Sequence, residues 1–287
     1  MIAPTLNCAC DHRHRSLAWS YEAPPRGETP FNLKGVAYRR AYERCNCCGH
    51  LFGKHDIDLS SLYGGDYVDA TYGGAEDMRR RFERVMSLPP EKSDNRSRVS
   101  RFLAFAQTRG LSPALSPRLL DIGAGLGVFP AAMRSAGWHV VGLEPDPRTV
   151  EHLRAVAGIE ALADDLLQLD PASTALFDAV SFNKVLEHVE DPVALLRPAA
   201  AFLNTNGFVY LEVPDVAAIS EGPEREEFYI EHHHVFSPAS VAILAQYSGF
   251  DVRVIERLRE PSTKYTLRAF LVRDEGALIS AASGASG

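Results

Sequence analysis

Apolar and polar positions alternate along this chain in two rhythms, strand-like and helix-like, and from residue 118 onward the two take turns. Arg118-Leu-Leu-Asp-Ile122 reads as a buried strand, Gly123-Ala-Gly-Leu-Gly127 as the turn after it, and about 128–136 as a helix. Trp138–Glu144 reads as the second strand, followed by a helix over about 147–157 and a short strand near 159–162. Phe177–Phe182 and Gly207–Val213 read as further strands, with a helix over 192–203 between them. After a polar loop, about 238–248 reads as a helix. Upstream, residues 75–88 and 94–109 carry helical spacing, with Val99, Phe102, Leu103 and Ala106 at i, i+3, i+4 and i+7 and Asp94 as the cap. Pro89-Pro90 separates the two helices, which are expected to cover the mouth of the unit that follows. The Gly- and Tyr-rich stretch 62–74 reads as loop.

Alternating strand and helix over 118–213 predicts an α/β fold with a doubly wound, mostly parallel sheet and a ligand at the carboxyl ends of its strands. The 287 residues, 46% apolar, suffice for one large domain and a smaller companion. Charge separates the two. Residues 1–118 carry 18 basic and 13 acidic side chains, whereas residues 119–287 carry 12 and 24. The formal net charge of −7 speaks against a broad nucleic-acid-binding surface. No apolar run reaches the roughly 18–20 residues of a membrane span, and the first residues lack the basic and apolar regions of a signal peptide. A cytoplasmic protein is expected. The expected organisation is a cysteine-rich domain over 1–70, a helical linker or lid over 71–117, the nucleotide-binding unit over 118–273 and a disordered tail over 274–287.

All five cysteines fall within the first 48 residues, a pattern that in a reducing compartment points to metal ligation. Cys45-Asn-Cys47-Cys48-Gly49 contains a Cys-x-x-Cys-Gly knuckle whose thiolates at 45 and 48 can share one tetrahedral zinc. Cys8 and Cys10 supply the second pair, one residue tighter than usual, and His12, His14 or His50 could replace one of them. A structural zinc would fold a part of the chain that has little core of its own.

Glycines 123, 125 and 127 let the backbone approach a ligand closely. The dinucleotide fingerprint requires Gly or Ala at its sixth position; here that position is Val128, and the third glycine comes one residue early. Asp121 before the loop disfavours a pyrophosphate and suits a ligand carrying ammonium and sulfonium charge. Both features argue against an NAD-dependent oxidoreductase, the competing enzyme class. Glu144, 23 residues on, is placed to accept from ribose hydroxyls, and Asp164 could accept from an adenine amino group.

Asp121-Ile-Gly-Ala-Gly-Leu-Gly127, Glu144, Asp164 and Phe177-Asp-Ala-Val-Ser-Phe-Asn-Lys-Val-Leu-Glu-His-Val-Glu-Asp-Pro192 resemble the successive motifs of class I S-adenosylmethionine-dependent methyltransferases, over about 118–273. The resemblance implies a seven-stranded sheet whose last two strands, 250–257 and 266–273, pair antiparallel. It implies cofactor contacts from Asp121, Gly123, Gly125, Glu144, Asp164 and Asn183. In that family the stretch Leu186-Glu187-His188 mostly frames the pocket floor.

Methyl transfer is an in-line displacement, so the protein must align the acceptor and, where needed, remove its proton. The loop after the fifth strand reads Phe228-Tyr-Ile-Glu-His-His-His234, and histidine titrates near working pH; one or two of the three imidazoles can point inward. Tyr229-x-Glu231-His232-x-x-x-Phe236-Ser237 is similar to a segment of methyltransferases acting on nucleotide-linked deoxysugars, which join a zinc-binding N-terminal domain to the same core. That resemblance implies His232 as general base, with Tyr229 and Glu231 positioning it and the sugar. The sugar C-methyltransferases usually continue into a third, C-terminal domain, which is not expected in the roughly 14 residues that follow the last strand here. The expected acceptor is a small metabolite, a nucleotide-linked sugar or a sugar-derived natural product; O- or N-methylation of a non-sugar metabolite and a non-catalytic cofactor-binding module are the alternatives.

Overall fold

The computed structural model describes residues 4–6, 8, 14–28, 37–55, 57 and 73–274. Cys10, His12, most of the Gly-Tyr loop and the tail from 275 on lie outside the described residues. Seven strands form the central sheet: β4 (Arg118–Ile122), β5 (His139–Glu144), β6 (Glu160–Ala163), β7 (Phe177–Asn183), β8 (Leu203–Pro214), β10 (Phe250–Arg259) and β11 (Tyr265–Arg273). Their spatial order is β10-β11-β8-β7-β4-β5-β6. The strands from β4 to β8 run parallel, and β11 and β10 close one side antiparallel. The doubly wound sheet and its antiparallel end therefore match the expectation from sequence.

Period-two alternation builds a core on each face of this sheet. Leu119, Ala179, Phe208, Tyr210 and Phe270 point to one face, where helix α2 (Asp94–Thr108), which follows α1 (Ala75–Met86), lays down Phe102, Phe105 and Ala106. Leu120, Val180, Phe182, Leu211 and Leu271 point to the other. There they meet α5 (Pro192–Leu196) and α6 (Pro238–Tyr247) through Leu196 and Leu244. Helix α2 is thus a layer of the fold rather than a cover over its mouth. Its cap also differs from expectation: Ser93 accepts from the Arg96 amide, while Asp94 reaches Ser262. The helix expected over 147–157 is α-helical only as α4 (Pro147–His152) and widens to a π-turn over Leu153–Ala157. The helix expected over 192–203 tightens to 3-10 geometry from Arg197 because Pro198 contributes no backbone donor.

The N-terminal strands β1 (Arg15–Tyr21), β2 (Arg40–Cys45) and β3 (Leu51–His55) pair antiparallel. The fourth strand of this sheet is β9 (His234–Val235), from the loop after β8. Tyr21, Tyr42, Leu51, Ala218, Phe228 and Val235 form one shared core between the two parts. The boundary expected near residue 70 therefore does not separate two independent cores.

Where Glu212 sits on β8, the sheet carries a fully buried charge. Arg98 from α2 donates to its Oε2 at 2.7 and 3.0 Å, and Arg268 and Tyr210 donate to Oε1 at 3.0 and 2.5 Å. Burial alone would raise this carboxyl; the two guanidinium groups hold it at about 2. Glu212→Gln removes the charge that both arginines face and is expected to cost about 3–5 kcal/mol in urea unfolding at neutral pH. Because its folded pKa is depressed, the carboxylate's contribution is complete above the unfolded value near 4.3 and lost as pH falls toward about 2. Equal stability of variant and wild type would remove Glu212 as the anchor of α2 on the sheet.

Candidate active site

The turn from β4 into α3 (Val128–Ser135) depends on left-handed glycines, with φ of +65° at Gly123, +53° at Gly125 and +76° at Gly127. A Cβ on Gly123 would stand 2.6 Å from Val185 Cγ2, and one on Gly127 would stand 2.7 Å from Ala157 Cβ. Close packing and backbone geometry thus both require glycine there. At the carboxyl ends of the flanking strands sit two carboxyls. Asp121 is buried and accepts from Ser181 Oγ at 2.5 Å; Glu144 accepts the Gly125 amide at 2.5 Å. Burial pushes both up to about 7. Asp164 follows β6, where its Oδ1 accepts the Asp165 amide.

Beside this loop opens a cavity of about 430 Å³, lined by Asp121, the glycine turn, Asn183, Glu187, His188, Tyr229, Glu231 and His232. Glu144 borders the turn, and neither it nor Asp164 lines this cavity. Asn183 ends β7 with a buried Oδ1 that has no hydrogen-bond partner among the described residues. Lys184 follows with φ +62°, a left-handed conformation unusual for a side-chain-bearing residue, and its ammonium donates to Thr266 Oγ1 at 2.8 Å. Sequence reasoning passed over Lys184, Lys264 and Arg98 in this cavity. Only the unusual backbone of Lys184 marks it, and that is invisible in the sequence.

The three consecutive histidines separate cleanly. His234 lies buried in β9, its Nε2 against the Glu190 carbonyl at 3.2 Å and its Nδ1 against His50 Nε2 at 3.0 Å. His233 stacks on His55 of β3. His232 alone lines the cavity. Its Nδ1 sits 3.0 Å from the Glu227 carbonyl, which can only accept, so Nδ1 carries the proton and Nε2 the lone pair. His188 is fixed in the same way by the Glu231 carbonyl at 3.0 Å, and the two rings meet edge to face at 4.8 Å. Burial lowers His188 to about 4 and His232 well below 6.5, so both are neutral at pH 7. Glu231 is raised by burial to about 7.

The N-terminal sheet holds this loop in place. Tyr42 donates to the His232 carbonyl at 2.8 Å and the Gly53 amide to the His233 carbonyl at 2.9 Å. Glu28, in a buried ion pair with Arg40, accepts the Ile230 amide at 2.7 Å, and the Tyr229 hydroxyl donates to the Arg26 carbonyl. At the far end of the same sheet, Cys8 Sγ lies 3.6 Å from Cys45 Sγ and 3.5 Å from Cys48 Sγ. A disulfide would bring sulfurs to about 2.0 Å. The observed spacing is instead near the roughly 3.8 Å between thiolates that share a tetrahedral zinc at about 2.3 Å. Cys47 is exposed. His50 is not available as a substitute ligand, because Ser240 Oγ and His234 Nδ1 engage both of its ring nitrogens.

A methyltransferase-domain family model matches residues 80–254, more than half of the chain. The ubiquinone biosynthesis O-methyltransferase of Aeromonas salmonicida is 27% identical over 156 residues, covering 47% of this chain and 63% of the relative. That of Paracidovorax citrulli is 31% identical over 114 residues, covering 35% and 45%. The chain thus spans less than two thirds of these curated relatives. In fold it is similar to magnesium protoporphyrin IX methyltransferase from Synechocystis PCC 6803 with bound SAH, with a TM-score of 0.55 at 18% identity over 75% of this chain and 100% of that one. It is also similar to 1,6-didemethyltoxoflavin-N1-methyltransferase from Burkholderia thailandensis, with a TM-score of 0.51 at 18% identity over 79% and 96%. No helix among the described residues is long and apolar enough to cross a membrane. This chain belongs to the methyltransferase-domain family.

Tyr42→Phe keeps the buried ring and deletes only the donor to the His232 carbonyl. It is expected to cost about 1 kcal/mol and to speed amide exchange at 230–235 while leaving β4 and β5 unchanged. Unaltered exchange in that loop would mean the hydroxyl does not hold it.

Proposed function

We propose that this methyltransferase transfers the methyl group of S-adenosylmethionine to an oxygen of a small-molecule acceptor bound between the glycine turn and the Tyr229–His234 loop. One juxtaposition carries the reading: the glycine turn with Asp121 opens into the same cavity as the basic nitrogen of His232. The residues suit the cofactor. Asp121 and the unpartnered Asn183 Oδ1 are acceptors facing the cavity, matched to an ammonium group. Glu144, whose Oε1 takes one backbone amide, has its second oxygen for ribose hydroxyls. Gly123 and Gly125 admit close approach of the ligand, and Asp164 beyond β6 is the candidate for the adenine amino group.

When bound, the cofactor supplies a methyl group on a positively charged sulfur. The protein's part is to hold the acceptor oxygen in line and to take its proton, with water kept out. His232 is assigned that contact through Nε2, in a neutral state ready to accept. Tyr229 and Glu231 flank it and position it together with the acceptor. The curated relatives' names favour O-methylation. A nucleotide-linked sugar is a second acceptor class, supported by the Tyr229-x-Glu231-His232 segment and by a cysteine cluster in the same chain. We assign that cluster a structural zinc held by Cys8, Cys45 and Cys48, with Cys10 as the fourth ligand.

Calorimetric titration with S-adenosylhomocysteine is expected to show binding, with no response to NAD. Glu144→Ala should weaken that binding by on the order of tenfold or more, since hydrogen bonds to charged groups are worth about 1.5–3 kcal/mol. Absent binding in folded protein would end the methyl-transfer reading, and undiminished affinity in the variant would end the role of Glu144.

Metal analysis of freshly purified, unchelated protein is expected to give one zinc per chain. Cys45→Ser should lower both the zinc content and the melting temperature. Zinc-free protein of full stability would reduce the cluster to packed thiols.

A further inference from the structure

His232 is not alone on the floor of the cavity. The 3-10 turn Leu186–His188 after β7 presents Glu187 and His188 beside it, and one donor atom from each of Glu187, His188 and His232 lies within 4.8 Å of the others. Glu187 is 1% exposed, and its Oε2 has no hydrogen-bond partner among the described residues. Both imidazoles give their Nδ1 protons to backbone carbonyls and keep their lone pairs on Nε2.

We propose that Glu187, and not His232 alone, holds the proton that the acceptor loses, the three side chains acting as one proton-holding cluster. The inference rests on the reading of this cavity as the acceptor site. Charge balance favours the carboxylate. Protonating His232 creates a positive charge in a buried site that already feels Lys184 and Lys264. Moving the proton on to Glu187 removes a buried negative charge instead. The charged groups around the cluster are Lys184 on the turn, Glu212 on β8 with its partner Arg98, Asp121 on β4, Glu226, Glu227 and Glu231 on the acceptor loop, and Lys264 before β11; Lys264 pairs with Glu226 at 3.2 Å. Burial raises Glu187 to about 7, with Lys184 opposing a further rise, whereas His232 is lowered far below its ordinary value. A proton shared between the two therefore rests on the carboxylate.

During transfer the acceptor O–H bond breaks and its electron pair stays on oxygen, which uses a pair to bond the incoming methyl group. The sulfur that loses the methyl keeps the pair of the broken bond. The proton goes to Nε2 of His232 and across the cluster to Glu187, and it is released to water after the product leaves.

The test is an infrared titration of the full-length protein with S-adenosylhomocysteine, in wild type, Glu187→Gln and Glu187→Asp. A protonated carboxylic acid shows a C=O stretch that the ionised form lacks. As pH falls through about 7 the wild type should gain this band, and Glu187→Gln should gain one carboxyl's worth less. Glu187→Asp should restore the missing intensity at a shifted midpoint. In protein with ¹⁵N-labelled histidine, His232 should stay neutral over the same range with its proton on Nδ1. An unchanged band in Glu187→Gln, or His232 becoming imidazolium at the carboxyl's midpoint, overturns the proposal. So does manganese(II) that selectively broadens the His188 and His232 signals, which would make the cluster a cation site. Should Glu187→Gln not fold, Glu187→Asp and the wild-type histidine spectrum decide the question. Failure of the wild type to bind S-adenosylhomocysteine would instead overturn the underlying reading, whatever the band does.

Discussion

Exclusion of water from the strand ends governs this site more than any single contact. A buried ionisable group must be neutral, be paired or be ready to meet a charged ligand. Each group around the cavity takes one of these courses. Glu212 stays ionised because Arg98 and Arg268 surround it. His188 and His232 stay neutral, each with one nitrogen tied to a carbonyl. Asp121, Glu144, Glu187 and Glu231 have been left near neutrality by burial, without a guanidinium or ammonium within ion-pair distance among the described residues. Four carboxyls in that condition are costly to keep, and a ligand that brings positive charge or delivers a proton relieves the cost. Function and desolvation are therefore one problem here, solved on two sides of one cavity.

The second constraint is mechanical. The loop that carries His232 has its backbone satisfied by borrowing a sheet edge. β9 pairs with β3, Tyr42 and Gly53 reach the His232 and His233 carbonyls, and Glu28 takes the Ile230 amide. That pairing also sorts the histidines. Fixing His234 in the strand sends its ring to His50, and the residue before it to His55, which leaves His232 for the cavity. The cysteine cluster at the opposite end of the same strands ties β2 to the segment at Cys8. Whatever holds those sulfurs together thus bears on the histidine through a few strand residues, without touching it.

Period and punctuation made the central sheet legible in the sequence. Leu119 and Leu120 alternate across β4, and Phe208 to Leu211 alternate across β8, because each strand is buried on both faces. The glycine turn was legible for the same kind of reason, since three glycines after an Asp-ended strand have few other uses. Illegible were the features set by long-range packing. Asp94 and Ser93 are equally good caps on propensity, and the pull of Ser262 on Asp94 decided between them. The basic excess of the front part likewise meets partners inside the protein. Arg98 is used by Glu212, Arg101 by Glu256 and Arg40 by Glu28. Arg98 and Arg101 thus spend their charge on carboxylates of the second half, which no count along the sequence could reveal.

The same geometry decides what can be learned from relatives. The family model begins at residue 80, so it spans the glycine turn, Glu144, Glu187 and His232. Tyr42, Gly53, Arg26 and Glu28, which set the height and angle of the loop bearing His232, all precede it. The glycine turn and its neighbouring carboxyls therefore belong to the shared part of the fold, whereas the backbone of the His232 loop is held by strands that lie outside it. All of the cavity's lining but Lys264 and Tyr265 lies within the matched part. Two proteins could keep every strand-end carboxylate in common and still differ at the far side of the cavity, because the loop that carries His232 is hung from a separate sheet.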